Sequence, residues 1–493
     1  MDRSESGSFS VESSVDYKKA VKEVTKYGFP SVCGMILRRL VDVINYLIIG
    51  QLGNPDFTAG AGLGILTMNI TTFSIGVGLS GGVETLSSQA FGRKKNYLAG
   101  CYYNRAQVIL TAIFIPQAIA LYYSEDILIF LKQPPASSHY AGIYSSIMIP
   151  GLWMLCQTEL LRRFLTTQGV LYIVVNSQIL SCILHPLWVY FFVYYFDYSL
   201  EGVAYATNMT YLINFIIPIL YITKNKDLLK KDSWHCINKD SFSGLLEYLE
   251  IGVPSMIMTA LEVWGFEVIC LMAGLLGSAQ LGASVVLFNI DAFLFMIPFG
   301  FSLSFSSLVG NSLGARKHER ASIYINLSVI FAIGLSAIVC FIYWEFKTQI
   351  AYMFTSDKEL ADLMISIFPI LMLYECGNYI QCITTGIIKA MGYQKYATIV
   401  CLLSFWIVSF PVGYLLAFVW GYGLQGIFFG LPCGITVHAA IFLLIIYLTD
   451  LEELSKNIVR KIESHARGVK NYNEFNEFSA SWEDSEKALS EKS

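Results

Sequence analysis

The chain has 493 residues, of which 55% are hydrophobic and only 14% are charged, and its formal net charge is −4. Soluble domains carry about 25% charged residues, so this composition excludes a chain of several soluble domains. The aromatic content of 14% argues against disorder over most of the chain, and the lack of basic excess predicts no nucleic-acid partner. The eleven scattered cysteines predict neither a disulfide framework nor a metal site.

Long charge-free stretches predict transmembrane helices. The longest covers residues 396–449, enough for two crossings, because one crossing needs about 20 apolar residues. The sequence therefore predicts an all-α polytopic protein embedded in the lipid bilayer. In chain order, its twelve predicted spans are residues 28–50, 58–89, 99–123, 139–161, 166–196, 200–223, 245–273, 281–312, 322–346, 360–388, 396–419 and 424–448.

Basic residues are distributed unequally between the two sides of these spans. Even-numbered connections hold fifteen Lys and Arg residues, whereas odd-numbered connections hold three. The positive-inside rule then places the even connections and both termini in the cytoplasm. No sorting signal chooses between the plasma membrane and an endomembrane.

Short motifs recur at a constant offset of 224 residues. A Gly-x-Pro-Ser motif at Gly28 recurs at Gly252, and a Leu-Gly pair at Leu52 recurs at Leu276. This repeat predicts two six-helix lobes of equal orientation, with a site near the membrane midplane. The predicted organisation is a polar cytoplasmic N-terminal tail (1–26), an N-lobe (27–225), a basic cytoplasmic linker (226–240), a C-lobe (241–450) and a polar cytoplasmic C-terminal tail (451–493).

Span 7 holds two acidic residues, Glu262 and Glu267, on either side of Trp264. Each charge within a membrane span costs about 2.5–3.5 kcal/mol on insertion scales, so these carboxylates are candidates for function. One carboxylate can hold either a proton or a cation, as an antiporter requires, and Trp264 offers a cation–π surface. The alternative is that both acids only form hydrogen bonds between helices.

Other spans hold polar residues that are candidates for lining a cavity. The alternative for each is an interhelical hydrogen bond, and for Asp42 an ion pair with Arg38 or Arg39 at helical spacing. Glu84, near a span end, is interpreted as a gate or loop anchor. The candidates are Asp42 and Asn45 in span 1, Asn289 and Asp291 in span 8, and Glu375, Asn378 and Gln381 in span 10.

The sequence gives little support for an enzyme. His185 and His438, the histidines in the interior of predicted spans, have no matching acid motif. Motifs for ATP binding are missing from the sequence. We therefore expect no catalytic residue, metal or cofactor, and any active transport would be driven by an ion gradient.

Several motifs together resemble the eukaryotic branch of the MATE (multidrug and toxic compound extrusion) family. They are Pro254-Ser followed by Glu262-x-Trp264-x-x-Glu267, Ile297-Pro-Phe-Gly, Gly310-Asn-Ser-Leu-Gly-Ala, Glu84-Thr-Leu-Ser-Ser-Gln-Ala-Phe-Gly and Leu161-Arg-Arg-Phe-Leu-Thr-Thr-Gln. The resemblance covers about residues 28–450. It implies a V-shaped, two-lobed carrier that works as a monomer by alternating access.

The resemblance also implies export of organic cations, xenobiotics or metabolites in exchange for H⁺ or Na⁺, with no other cofactor. Glu262 falls on the family's coupling glutamate and Glu267 on its companion. The family's acid in span 10 falls on Asn378, with Glu375 one turn earlier. The aspartate that the bacterial branch has in span 1 falls on Asn45, with Asp42 one turn earlier.

These residues divide into two predicted groups. The predicted coupling residues are Glu262, Glu267 and Glu375, and the predicted substrate-binding residues are Trp264, Asn289, Asn378, Asp42, Asn45 and Gln381. Arg38 and Arg39 in span 1 leave two alternatives open, because they would repel a cation. One is a MATE-like carrier of an anionic or zwitterionic substrate, and the other is a flippase of the same superfamily for lipids or lipid-linked oligosaccharides.

Overall fold

A computed structural model describes residues 17–355 and 357–469 of the chain. Within these residues the chain forms twelve long helical rods and one further helix, α13. The rods are α1 (Tyr17–Gln51), α2 (Pro55–Gly92), α3 (Asn96–Tyr122), α4 (Pro135–Gln168), α5 (Tyr172–Tyr195), α6 (Ser199–Lys224), α7 (Leu245–Leu276), α8 (Ser278–Gly314), α9 (His318–Phe354), α10 (Lys358–Met391), α11 (Gln394–Val419) and α12 (Gly423–Leu448), and α13 is Leu451–Arg467. Shorter helical segments occupy Ser124–Phe130, Lys226–Leu228 and Lys239–Phe242.

The rods confirm the predicted all-α membrane fold. Ten of them are long and apolar enough to cross a membrane by length and composition alone. The other two are α1, which contains Arg38 and Arg39, and α4, which contains Glu159, Arg162 and Arg163. The three charged residues of α4 are buried and the two arginines of α1 are partly buried, and their positions matter for the sites described below.

Helix α1 begins at Tyr17, which lies within the stretch predicted as a tail. Ala20 and Val24, one turn apart, are both buried, so packing extends the helix beyond the membrane-spanning part. The rest of that predicted tail, residues 1–16, lies outside the described residues. The same is true of residues 470–493 in the predicted C-terminal tail.

The boundary between the fourth and fifth rods differs from the prediction. Helix α4 continues to Gln168 and ends where Gly169 adopts a left-handed φ of +78°, the usual way a glycine stops a helix. Arg162 and Arg163, predicted to lie in a connection, are therefore buried within α4. Lys389 is likewise buried within α10. Without these three residues the even-numbered connections hold twelve Lys and Arg residues and the odd-numbered connections hold three. The excess on which the predicted orientation rests is therefore still present.

The two lobes pack closely through small residues. Helix α7 of the C-lobe lies along the second half of α2 in the N-lobe, and α1 lies along α8. At the first contact, a Cβ atom on Gly78 would lie 2.5 Å from the Cα of Met256. Only glycine permits so close an approach of two helix backbones, so this position fixes the lobe-to-lobe distance.

Hydrogen bonds join the lobes at the helix ends on the predicted cytoplasmic side. Thr85 of α2 donates to the carbonyl oxygen of Lys389 in α10 at 2.9 Å. Asn311 of α8 donates to the carbonyl oxygen of Thr167 in α4 at 3.1 Å. These bonds use side chains of one lobe and backbone carbonyls near the helix ends of the other, so they hold the lobes together on this side.

Helix α13 lies across both lobes on the same side. Its apolar face, including Ile458 and Val459, is buried, while its polar face forms ion pairs. Arg93 at the end of α2 binds Glu463 with an Nε–Oε1 distance of 3.1 Å. Lys461 binds Glu250 of α7 at 3.1 Å. Since α2 and α7 belong to different lobes, α13 connects them.

The docking of α13 also involves a histidine. The Nδ1 atom of His465 lies 2.7 Å from the hydroxyl of Tyr102 in α3 and 3.6 Å from Glu247 in α7. Burial lowers the pKa of His465 below its usual value of 6.5, and the nearby Lys461 and Arg105 add to this, although Glu247 opposes them. The docked helix therefore favours neutral His465.

We expect the docking of α13 to weaken in acid. Because an undocked His465 binds a proton more readily, its contribution is complete above about pH 6.5 and is lost as the pH falls through the lower pKa of the docked residue. Hydrogen exchange of residues 451–467, corrected for the intrinsic pH effect, should accelerate between pH 7.5 and pH 5. The variant His465→Gln should show a flatter profile. Equal protection of the wild type at both pH values would contradict this expectation.

Candidate functional site

One face of α10 carries a row of polar side chains through the C-lobe. Glu375, Asn378, Gln381, Thr385 and Lys389 follow one another at intervals of three or four residues, which places them on one helical face. All five are buried. We call this set the α10 polar row. A polar row inside an apolar bundle has to find partners on neighbouring helices, and those partners define the site.

Glu262 of α7 is one of these partners. The Nε2 atom of Gln381 donates to Oε1 of Glu262 at 2.9 Å and lies 3.1 Å from the hydroxyl of Thr385. Gln381 is buried, whereas Glu262 is only half-buried. The carboxylate of Glu262 therefore has one oxygen held by the α10 polar row, and its exposed part remains accessible to a ligand.

A second carboxylate of the C-lobe sits at the other end of the row. Asp291 of α8 lies against Glu375, within hydrogen-bonding reach, and both are buried. Asn378 donates to Oε2 of Glu375 at 3.2 Å, and the hydroxyl of Tyr343 lies 3.5 Å from Oε1. In the described part of the chain, Oδ1 of Asp291 has no hydrogen-bond partner. Two ionised carboxylates repel each other strongly in an apolar site, so this pair requires a proton or a cation.

Glu267 and Trp264 lie apart from the α10 polar row. Glu267 is half-buried on α7 and makes no hydrogen bond to a side chain among residues 17–355 and 357–469. Trp264 is 37% exposed, so its indole face is open to contact. The structure thus brings Glu262 together with Gln381, whereas Trp264 and Glu267 take no part in that contact.

Asp42 and Asn289 meet through Arg39. The Nη2 atom of Arg39 donates to Oδ1 of Asn289 at 2.9 Å, which joins α1 of the N-lobe to α8 of the C-lobe. Its Nη1 atom lies 3.5 Å from Asp42. The ion pair between Asp42 and Arg39, the alternative interpretation of Asp42, is therefore present. Both predicted substrate-binding residues contribute to a contact between the lobes.

Asn45 belongs to a buried hydrogen-bonding group in the N-lobe. Its Nδ2 atom donates to Thr207 at 2.9 Å, and its Oδ1 atom lies 2.9 Å from Nε2 of His185. The other ring nitrogen of His185 lies 2.8 Å from the hydroxyl of Thr210. Both polar ends of the Asn45 amide are engaged, so the geometry gives it a packing role. No motif in the sequence identified His185 as its partner.

A network of buried charges joins three helices of the N-lobe. Glu159 of α4 accepts hydrogen bonds from Arg162 at 3.0 Å and from Arg163 at 3.1 Å. Arg163 also donates to Glu84 of α2, and Arg38 of α1 lies 3.8 Å from Glu159. The sequence does not predict this network, because its predicted spans place Arg162 and Arg163 in a connection. The spacing of Glu159, three and four residues before them, was the available signal.

Comparison with known proteins identifies relatives along most of the chain. The family model described as MatE matches residues 30–191 and 254–415, two segments related by the same offset of 224 residues as the predicted repeat. Protein DETOXIFICATION 16 from Arabidopsis thaliana is 28% identical over 449 residues, covering 91% of this chain and 92% of that protein. Multidrug and toxin extrusion protein 1 from Xenopus tropicalis is 30% identical over 420 residues, covering 84% of this chain and 72% of that protein.

Solved structures show the same fold. The crystal structure of the eukaryotic MATE transporter AtDTX14 superposes with a TM-score of 0.85 at 24% identity, covering 90% of this chain and 99% of that one. The bent form of the Vibrio cholerae MATE transporter VcmN gives a TM-score of 0.76 at 18% identity, covering 91% of this chain and 99% of that one. The likeness extends over both lobes.

The packing role of Asn45 can be tested with two threonines of α6. Thr207 and Thr223 each donate to the carbonyl four residues earlier, but only Thr207 also accepts from Asn45. Thr207→Val leaves the buried amide of Asn45 without that acceptor and should lower the free energy of unfolding by about 1–3 kcal/mol. The exposed control Thr223→Val should change it by less than about 0.5 kcal/mol. Equal melting temperatures for both variants in detergent would contradict the role.

Proposed function

The chain belongs to the MATE family of membrane transporters, and on that premise we propose that it is an antiporter that exports organic cations in exchange for protons. It is an integral multi-pass transporter of the multidrug and toxin extrusion type, not an enzyme. The proposed cycle uses one chain as a monomer, because its two lobes already provide both sides of an alternating-access pathway. The basic connections favour cytoplasmic termini, and the direction of exchange is set by the proton gradient.

The placement of Glu262 is the observation that carries this proposal. Its carboxylate is half-buried and held by Gln381 through one oxygen. A monovalent cation at about 4 Å from such a carboxylate gains roughly 4 kcal/mol at an effective dielectric constant of 20. A proton on the same carboxylate removes that attraction. One group that binds either a proton or the substrate gives obligatory exchange.

The two arginines of α1 are compatible with a cationic substrate. Arg39 is paired with Asp42 and Asn289, and Arg38 lies beside Glu159 with its guanidinium 4.8 Å from the centre of the Phe73 ring. Both charges thus have partners within the protein. A cationic wall was the reason for considering an anionic substrate or a flippase, and these contacts weaken that reason.

We further propose that the Asp291–Glu375 pair carries a second proton. Asn378 donates to Glu375, and Gln381, three residues further along the α10 polar row, donates to Glu262, so the pair lies near the Glu262 site without sharing its exposed part. Exchange of one proton for one monovalent cation moves no net charge. Exchange of two protons for one such cation moves one net elementary charge. A membrane potential then contributes about 2.3 kcal/mol per 100 mV to the exchange.

Replacement of Glu262 should abolish coupling. In proteoliposomes loaded with a fluorescent monovalent organic cation, wild-type exchange should follow an imposed pH gradient, and Glu262→Gln should reduce it to the level of protein-free vesicles. An exposed acid of α9 gives a matched control, and Glu319→Gln should exchange like the wild type. The assignment of Glu262 is refuted if Glu262→Gln folds and exchanges at the wild-type rate. A response to a Na⁺ gradient alone would make Na⁺ the coupling ion.

The carboxyl pair predicts a response to voltage. With a potassium diffusion potential set by valinomycin, wild-type exchange of a monovalent cation should accelerate when the potential favours proton entry. Glu375→Gln and Asp291→Asn should keep exchange driven by the pH gradient but lose this acceleration, because only one proton then moves. If the wild type is insensitive to the potential, the pair does not carry a transported proton.

A further inference from the structure

The first three turns of α1, residues 17–27, precede the predicted membrane span and lie on the predicted cytoplasmic side. One side of this segment packs into the protein, and its buried residues are Ala20 and Val24, followed by Gly28 at the start of the span. Because these residues recur at intervals of four, they form one helical face. The opposite face is turned away from the protein, at the level where the rod leaves the bilayer.

The charges of this segment are unevenly distributed around the helix. Its one acid, Glu23, is turned toward α9, where it accepts a hydrogen bond from Arg320 at 2.8 Å and another from Tyr324. Its lysines are Lys18, Lys19, Lys22 and Lys26. Lys22 and Lys26 are exposed and form no ion pair with any residue of the described ranges 17–355 and 357–469. The exposed face therefore carries positive charge that the acid of the segment does not balance.

A shallow groove opens on this face and continues into the membrane span. It is lined by Lys22, Thr25, Lys26, Phe29 and Pro30. The two lysines are one turn apart, a rise of about 6 Å along the helix axis. Phe29 is 64% exposed and lies in the first turn of the predicted span, where the acyl chains of a bilayer begin. The groove thus has two ammonium groups at its outer end and an apolar surface at its inner end.

The order of these groups along α1 matches the order of charge in an anionic phospholipid. Clusters of roughly four to eight basic residues directly before a span, on the cytoplasmic side, are typical of segments that bind anionic lipids. A soluble phosphate could use the two lysines but would gain nothing from the exposed ring of Phe29. A lipid uses both, because its phosphate meets the ammonium groups while its acyl chain covers the ring. The groove therefore favours a lipid over a soluble phosphate.

We propose that the groove at Lys22, Lys26 and Phe29 binds an anionic phospholipid of the leaflet on the predicted cytoplasmic side. The two ammonium groups bind the headgroup phosphate, and Phe29 contacts an acyl chain. The lipid supplies the negative charge that this face lacks. It also anchors the end of α1, the rod whose Arg39 binds Asn289 of the C-lobe. This proposal does not depend on the transport function, because binding is measurable on the protein in detergent.

The test measures binding of dioctanoyl phosphatidic acid to the full chain in a non-ionic detergent. We expect saturable binding that weakens when the salt concentration rises from about 0.1 M to about 1 M, because salt screens exposed charges. Dioctanoyl phosphatidylcholine has the same acyl chains but no net charge, and it should bind much more weakly. Equal binding of the two lipids, or no saturable binding of phosphatidic acid, would overturn the proposal.

Two double variants locate the site. Each lysine near an anionic lipid surface strengthens binding about fivefold, so Lys22→Gln with Lys26→Gln should weaken it about 30-fold. The matched control combines Lys132→Gln with Lys358→Gln, which removes two exposed lysines on the other predicted side and should leave binding unchanged. All four lysines are exposed, so we expect both variants to fold. Wild-type affinity in the first variant would place the lipid elsewhere, and the proposal would fail.

Two further comparisons identify the occupant of the groove. Glycerol phosphate, the same headgroup without acyl chains, should not displace phosphatidic acid, and Phe29→Ser should weaken lipid binding. Full displacement by glycerol phosphate would assign the groove to a soluble phosphate and overturn the lipid proposal. The sequence before α1 contains the acids Glu12 and Asp16. If the full chain binds lipid only after Glu12→Gln with Asp16→Asn, that segment is the occupant, and the proposal fails.

Discussion

The pairing of charges inside an apolar bundle is the constraint on which the rest of the structure depends. Each ionised side chain in the membrane interior must find a partner, because hydrocarbon offers no water to solvate it. Glu159 meets this constraint for the N-lobe by binding Arg162 and Arg163 of its own helix and lying 3.8 Å from Arg38 of α1. Arg163 then reaches Glu84 of α2. The network fixes three helices relative to one another.

Helix α10 carries both the polar row of the candidate site and a contact between the two lobes. Its polar row positions the partner of Glu262 and the Asp291–Glu375 pair, and its predicted cytoplasmic end supplies the carbonyl that accepts from Thr85 of the N-lobe. A rigid helix that bears both features moves them together. This arrangement gives a physical reason to look for coupling between protonation in the C-lobe and contact between the lobes.

The two repeats share a fold but differ in chemistry. At the core of the N-lobe, Asn45 and His185 form hydrogen bonds with threonines, and the nearby charges include more arginines than acids. The C-lobe instead buries an acidic pair, Asp291 and Glu375. A repeated backbone therefore does not impose a repeated site, since side chains set the chemistry and the fold only places them. This asymmetry places the proposed proton and cation sites in the C-lobe.

The sequence by itself determined the number of helices, the repeat and the family, and it singled out Glu262 as a candidate coupling residue. These conclusions rest on local composition and on motifs, which do not depend on how helices pack. It also indicated an ion pair of Asp42 with Arg39 as an alternative, because one turn of helix brings those residues together. Only the tertiary structure decided which distant residues meet: Gln381 with Glu262, Asp291 with Glu375, and His185 with Asn45. In a membrane the lipid-facing and buried sides of a helix are both apolar, so the pattern that orients a soluble helix about its axis is missing.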